Sequence, residues 1–543
     1  MPNDLIKSAF SPFKHRAFAV LWTATLISNI GTWMFNVTSG WVMTDLSPSP
    51  LMVSMVQAAT ALPIFLFALP AGALGDLFNR RKLLMGTQIF LAIALFIFAV
   101  LLWIDYVNAW ILLLFTFVIG TGSAFAMPAW QAIVPRLVPR ATLGSAITLN
   151  GVSMNIARAI GPALGGFILA TAGAIATTIL DAVSYLAVVA ALLWWRVAAE
   201  QSDPLPREYL AGAMQSGIRF ALHSIPLRYT LIHTLVFFSC ASAYWALLPL
   251  IAKDTLQGGA DLYGILLTSL GTGAVTGAFL LPIMKKRLGA DTIMKLSTTA
   301  TTLCLMMFAH GGHAAIGIAA GFVGGVSWIM AVSSLNISAQ FALPDWVRAR
   351  GLAIYQMVAF GAMTAGSVGW GQTAETMGLS SALVVSGLLG IFLILVTGRF
   401  KLNLGEYHDY TPSGHWAEPV VITPLAHDNG PVLVTLEYSI DDSDREKFYS
   451  LMEELGVTRR RDGAIQWGFF EDVEIHGRFI EMFTVESWVA HLRQHARVSA
   501  SDKILQDKIF SLHRGDIPPK VMHAVTPDMG SNPKKIPKTH HDL

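Results

Sequence analysis

Charge is what this 543-residue chain has least of: acidic and basic residues together make up 13% of it, where soluble globular chains carry roughly 25%. With 54% hydrophobic residues and a mean hydropathy of +0.54, it has too little polar surface to cover itself in water. Lipid must cover part of it. A net charge of +2 gives no reason to expect a nucleic-acid partner. Only two cysteines occur, Cys240 and Cys304. They are far apart and each lies in an apolar stretch, so they read as small buried hydrophobes. A Gly-Lys-Ser/Thr phosphate loop is missing, which argues against ATP-driven transport by this chain. Gly271-Thr-Gly-Ala-Val-Thr-Gly277 lies inside an apolar run without a preceding strand and signals no nucleotide. No cleavable leader is evident either: Lys14-His15-Arg16 runs into a long apolar segment with no small-residue cleavage site, so the first helix is expected to stay.

What is present is apolar length. A spanning helix needs ~20 mostly apolar residues, and twelve such stretches occur, at 17–42, 51–74, 83–104, 109–133, 143–170, 174–195, 229–252, 262–284, 292–309, 313–341, 350–375 and 379–398. The loops between them are short, except for a polar connector, 197–228, containing Pro204, Pro206 and Pro226. Basic residues gather in the even-numbered loops, at Arg80, Arg81 and Lys82, at Arg136 and Arg140, at Lys285, Lys286 and Arg287, and at Arg348 and Arg350. Odd-numbered loops hold Lys253 and otherwise Asp45, Asp105, Asp254, Asp261 and Glu375. The positive-inside rule then predicts a multi-pass protein of the cell inner membrane with both termini cytoplasmic.

The two halves echo each other. Val138-Pro139-Arg140 before a Gly-rich span is matched by Leu343-Pro344-Asp345 before another, and Gly72 to Lys82 by Gly277 to Arg287. The expected fold class is an all-α polytopic membrane protein with six-helix halves at 1–196 and 229–401 and a substrate cavity between them. After a Pro-rich linker at 402–431, a small soluble α+β domain follows at 432–526. Val432, Val434, Leu436, Tyr438 and Ile440 alternate as in a strand. Ser443 to Glu446 reads as a capping box opening a helix that stops at Gly456. Strands near 464–471 and 478–485, helices across 487–512 and a strand near 521–525 complete a βαββαβ, ferredoxin-like order. Residues 527–543 are expected to be disordered.

Gly72, Gly75, Asp76, Asn79, Arg80, Arg81 and Lys82, on the loop between spans two and three, resemble the loop signature of the major facilitator superfamily. Asn79 stands where the signature has Gly, tolerable if left-handed. Leu77 replaces a usual basic residue. Gly161, Pro162, Gly165 and Gly166 in span five resemble the exporter motif of that superfamily, whose proline frees a backbone carbonyl and lets the span bend. The wider pattern runs from Pro128-Ala-Trp-Gln131 through Asn155-Ile-Ala-Arg158 and Pro344-Asp345-Trp-Val-Arg348 to Gly351. It resembles the enterobactin-exporter, or transmembrane secretion effector, branch. That resemblance implies a secondary active exporter with no cofactor, moving a siderophore or similar small molecule by proton antiport. An importer, and a transporter feeding a fused monooxygenase-like domain, remain as alternatives. The C-terminal domain resembles dimeric antibiotic-biosynthesis-monooxygenase barrels, which makes it a candidate dimerising module.

Charge within the spans is costly, about 3 kcal/mol or more when unpaired. Arg158 and Asp181 are therefore expected to pair or share a polar network, with Asp181 the candidate proton carrier. Asn29, Asn36, Gln57, Gln131, Asn150, Asn155, Asn336, Gln340, Tyr355 and Gln356 are the candidate cavity-lining residues. Trp33, Trp130, Trp245, Trp328 and Trp370 are candidates for stacking on substrate. In the C-terminal domain His491 and His495 have the four-residue spacing of a metal pair, but the sequence shows no third ligand, and no metal is expected.

Overall fold

In a computed structural model, the described residues are 10–77, 79–139, 142–195, 210–402, 409–416, 428–515 and 518–527. They fall into two compact units. The first comprises Met1–Leu210, Tyr229–Phe341 and Ala349–Leu404, and the second Ala211–Arg228, Ala342–Arg348 and Gly405–Leu543.

Apolar length dictates the first unit. Among the described residues, 11 helices are long and apolar enough to cross a bilayer. They are α1 (Arg16–Leu46), α2 (Pro50–Leu77), α3 (Arg80–Trp103), α4 (Ala109–Leu137) and α5 (Leu143–Trp194), then, after the connector helix α6 (Leu210–His223), α7 (Ile225–Leu250), α8 (Ala260–Lys285), α9 (Ala290–His310), α10 (Ala314–Phe341), α11 (Arg348–Met377) and α12 (Leu379–Thr397). The 52 residues of α5 would reach about 78 Å as one rod, more than twice the hydrocarbon thickness. The rod is broken at Gly173, whose φ of +80° and ψ of 175° are non-helical and belong to glycine.

The packing of α5 on α1 shows that the chain doubles back there. Before the break, Gly161 lies against Ile30 and Trp33 and Gly165 against Met34, so the two helices run parallel. After it, Thr177 bonds Thr38 and Tyr185 bonds Thr32, so the second limb runs the other way. Eleven helical runs thus make twelve crossings. Cys240 and Cys304 are both buried and free, as their surroundings suggest.

The second unit is built on the strands β1 (Val432–Ser439), β2 (Gln466–Glu471), β3 (Arg478–Val485) and β4 (Lys520–Val525) and the helices α13 (Arg445–Arg461), α14 (Trp488–Arg497) and α15 (Ala500–Phe510). The sheet order is β2-β3-β1-β4, with every pair antiparallel. That is the arrangement the βαββαβ sequence demands if each helix crosses one face. β1 buries Val432, Val434, Leu436 and Tyr438, and β3 Phe479 and Phe483, against Phe448, Met452 and Leu455 of α13.

Two local expectations are corrected. α13 is capped by no side chain and starts only after a short turn at Asp442–Asp444. The capping box of this unit is instead Ser499 with Asp502, at the start of α15. α13 also continues past Gly456 to Arg461; a Cβ at Gly456 would stand 2.9 Å from the Trp467 ring, so the glycine serves a close contact and not a helix stop. The tail beyond 527 lies outside the described residues.

The connector is more than a tether. The Arg219 guanidinium on α6 donates to Gly463 O at 2.9 Å. The buried Phe220 meets Trp346 edge-on at 5.8 Å, and Arg497 lies 4.0 Å over the Trp346 ring. An apolar Phe220 needs cover, and the α+β fold supplies it.

Inside that fold is a fully buried carboxylate. Glu481 accepts from Arg459 Nε at 2.9 Å, Trp467 Nε1 at 3.1 Å and the Tyr438 hydroxyl at 3.0 Å. Replacing Glu481 by Ala leaves the Arg459 charge buried and unpaired, a change that costs roughly 3–5 kcal/mol. The expected outcome is loss of protease resistance across 428–527 in the full-length E481A chain, with the membrane unit retained.

Candidate functional site

The two halves of the first unit meet where glycines let backbones touch. A Cβ on Gly166 of α5 would lie 2.9 Å from Gly264 Cα of α8, one on Gly264 would lie 2.7 Å from Pro162 O, and one on Gly271 would lie 2.6 Å from Arg158 O. Lipid tails provide no hydrophobic drive between helices, so close backbone approach through small residues is what holds such a pair. The exporter-like motif therefore splits its work: Gly161 and Gly165 receive α1, and Gly166 receives the other half.

At the ends of α1 and α2 toward the odd-numbered loops, further contacts cross between the halves. Lys253 Nζ donates to Asp45 at 2.8 Å and sits 5.8 Å over the Trp41 ring, which stacks on Tyr263 at 6.3 Å. Glu375 of α11 accepts from Leu51 N at 3.1 Å and from Ser49 Oγ, holding the start of α2.

Beside the glycine seam lies an aromatic row shared by both halves. Trp33 of α1 is 6.4 Å from Trp245 of α7, which is 5.3 Å from Trp328 of α10. The half-buried Arg158 holds its guanidinium 5.7 Å over Trp33. Arg158 Nε is buried without a hydrogen-bond partner. Three of the five candidate tryptophans thus converge. The other two are spent on packing, with Trp130 donating to Asn150 at 2.9 Å and Trp370 to Ser239 O at 2.7 Å.

Arg158 and Asp181 do not pair. Asp181 sits against Gly31 of α1, fully buried, with Ser184 Oγ at 3.3 Å from Oδ1 and with Oδ2 unpartnered. The hairpin explains the separation: Arg158 lies 15 residues before Gly173 and Asp181 8 after it, a depth difference of about 10 Å at 1.5 Å per residue. The Tyr185 hydroxyl, bonded to Thr32 at 2.9 Å, stands one residue on from Ser184.

The candidate cavity residues divide. Asn29, Asn36, Asn155 and Gln356 are half-buried. Tyr355 is buried with a lone hydroxyl. Gln57 reaches Met363 Sδ across the halves at 3.9 Å. Asn336 and Gln340 bond each other at 2.5 Å, Asn150 serves Trp130, and Gln131 is exposed. A cavity of about 360 Å³ opens between α2, α7 and α11, lined by Phe65, Leu231, Leu235 and Met357 among other apolar residues and by none of these polar candidates.

Of the loop signature, the side chains of Gly72, Gly75, Asp76 and Leu77 lie outside the described residues, as does Arg140. Asn79 is not left-handed. Its φ of −61° is extended, and its side chain caps α3 by accepting from Arg81 N and Lys82 N, the ordinary use of Asn before a helix. Arg81 donates to Leu192 O at 2.9 Å and to Leu193 O at 3.3 Å, anchoring the loop to the end of α5.

In the second unit, His523 of β4 comes up to His491 and His495, a third imidazole that the sequence placed too far away to connect. Burial first, and then the charges of His495 and His523, press His491 down to about 3. Burial, with His523 and Arg459, presses His495 down to about 4. Both are neutral at pH 7.

Comparison with known proteins agrees with this architecture. The sequence profile of a family described as transmembrane secretion effector matches residues 7–530. The staphyloferrin A transporter of Staphylococcus aureus (strain NCTC 8325 / PS 47) is 23% identical over 399 residues, 71% of this chain and 97% of that protein. The multidrug efflux pump Tap of Mycolicibacterium fortuitum is 24% identical over 400 residues, covering 70% and 96%. The enterobactin exporter EntS of Escherichia coli O1:K1 / APEC is 26% identical over 399 residues, covering 71% and 94%. Among solved structures, the peptide transporter POT in complex with sulfate superposes with a TM-score of 0.57 at 12% identity, over 72% of this chain and 96% of its own. An inward-facing, unoccupied bacterial homologue of the human lysosomal transporter Spinster gives 0.54 at 13%, over 72% and 96%. These relatives and neighbours are transporters, and the fold is theirs.

The seam makes a direct prediction. Gly264→Val drives a side chain into Pro162 O and Gly166. Overpacking of this kind costs about 1–3 kcal/mol, so the closed seam is expected to lose roughly 5- to 160-fold in population. Thiol labelling of a Cys placed at Ala260, buried at the seam beside Gly166, should rise in that background. Unchanged labelling would show that the seam does not hold the halves together.

Proposed function

Because the chain belongs to the transmembrane secretion effector family, we propose that it carries a small molecule out across a bacterial inner membrane in exchange for protons. The observation that carries this reading is Arg158, a guanidinium inside the membrane unit, braced on Trp33 and left without an acid beside it among the described residues. An unpaired cation at depth is retained where something else supplies the negative charge. A substrate bearing carboxylate or phenolate oxygens, with planar groups against Trp33, Trp245 and Trp328, does so. The relatives, a staphyloferrin A transporter and enterobactin exporters among them, point to siderophore-like cargo.

Asp181 is the reading's proton site. It lies on a limb of α5 different from that of Arg158, against α1, with one oxygen free to take a proton. Loading and release there would bias how the hairpin packs on α1, and α5 passes that packing to α8 through Gly166. Basic residues on the even-numbered loops, such as Arg81 and Lys285, support cytoplasmic termini. The seam then lies toward the outside, so the halves are closed against each other on that side, as an exporter awaiting substrate from the cytoplasm requires.

Inverted vesicles with an imposed pH gradient test both roles. Asp181→Asn is expected to abolish proton-driven uptake while leaving substrate exchange. Arg158→Gln should raise KM for an anionic substrate at least about tenfold, the worth of one charge-assisted hydrogen bond. Full proton-driven transport by D181N would remove Asp181 from the coupling path.

A further inference from the structure

We propose that His491, His495 and His523 form a binding site for one divalent transition-metal ion of intermediate softness, zinc foremost, with a coordination position left open for water or another donor. The site belongs to the second unit and is independent of the transport reading. His491 and His495 lie one turn apart on α14, so they share a face. His523 sits on β4 opposite Val434 of β1, the outermost strand on that side of the sheet, and presents the third imidazole.

The rings converge. His495 Nε2 is 3.2 Å from His491 Nε2, and the His491 and His523 ring centroids are 4.8 Å apart. One ligand nitrogen from each of the three lies within 4.8 Å of the others. Zinc–nitrogen bonds of ~2.0–2.1 Å in a tetrahedral field separate ligand nitrogens by about 3.4 Å. The His491–His495 pair already has that spacing, and His523 needs a ring rotation to close the set.

A plain imidazole–imidazole hydrogen bond explains the first pair but leaves His523 without a part. His491 Nδ1 is buried next to the Gln494 amide. A metal-bound histidine uses its second nitrogen to hold an outer donor or acceptor, the place Gln494 occupies. His491 is 1% exposed, so the first ligand is held rigidly. His495 is braced edge-on by Trp416 at 4.9 Å. The nearest cation, Arg459, is neutralised by Glu481 and does not oppose an incoming ion. Three neutral nitrogens with no thiolate or carboxylate suit zinc, copper(II) or nickel(II) rather than calcium or magnesium. An ion there would tie α14 to β4, and α14 is the helix whose Arg497 covers Trp346.

The test uses the full-length chain in detergent, purified without a polyhistidine tag and stripped with chelator, then titrated with zinc alone against a competing indicator. The expected result is one saturable ion per chain. Affinity should weaken more than about 100-fold in His495→Ala and in His523→Ala, beyond the loss of an outer-shell partner, and stay unchanged in the exposed-loop control His313→Ala. Cobalt(II) bound at the same stoichiometry should give a tetrahedral visible spectrum that both variants lose. Should His523→Ala fold poorly, the metal-induced rise in melting temperature decides: it should appear in the wild-type chain and vanish in His495→Gln. Failure of the wild-type chain to bind zinc, or the same affinity or the same thermal shift in the variants, overturns the proposal. Loss of proton-driven transport in D181N bears on the transport reading alone.

Discussion

Two backbones pressed together at Gly166 and Gly264 are the contact on which the membrane unit turns. In lipid no water is released when helices associate, so the attraction is dispersion between surfaces that can come close enough. Only glycine at these positions brings α5 and α8 within that reach. The same limb of α5 is held to α1 by Gly161 and Gly165, so one helix is gripped by its own half on one face and by the other half on another. Any motion of the halves must pass through it, and Arg158 sits one turn below Gly161–Pro162 on that limb.

The doubling back of α5 at Gly173 sorts the buried charges. Each limb carries one, at different depths and against different neighbours, so neither neutralises the other. A paired Arg158 and Asp181 would be a static strut. Separated, each keeps a buried polar atom without a partner, Nε of Arg158 and Oδ2 of Asp181, which is what the proposed roles in substrate and proton binding need. The polar residues around them mostly serve helix contacts, as the Trp130–Asn150 and Asn336–Gln340 bonds show.

The second unit adds two things to a transporter. α6 and residues 342–348 pack with its α+β fold through Arg219, Phe220, Trp346 and Arg497. Chain connectivity leads from those segments directly into α7 and α11. The unit also holds the buried Arg459–Glu481 pair and a histidine trio of which His491 is buried. Burial of that much polar surface is costly unless every group finds a partner.

Much of this was legible in the residues alone. Runs of apolar length, the sidedness of Arg and Lys, and period-2 alternation at Val432 to Ile440 follow from local chemistry: a bilayer demands length, a half-buried strand demands alternation. Glycine and proline at 161–166 likewise announced a close helix contact. What the chain could not announce is which surfaces meet. That Asn79 caps α3 rather than turning left-handed, that Gly456 yields to Trp467 instead of ending a helix, and that Arg158 faces Trp33 while Asp181 faces Gly31 all depend on residues distant in sequence. His523 is separated from His495 by an entire helix, and only the antiparallel return of β4 beside β1 brings it within reach. Composition and periodicity act over one or two turns of chain. Partnership is decided by the tertiary packing that carries those turns past one another.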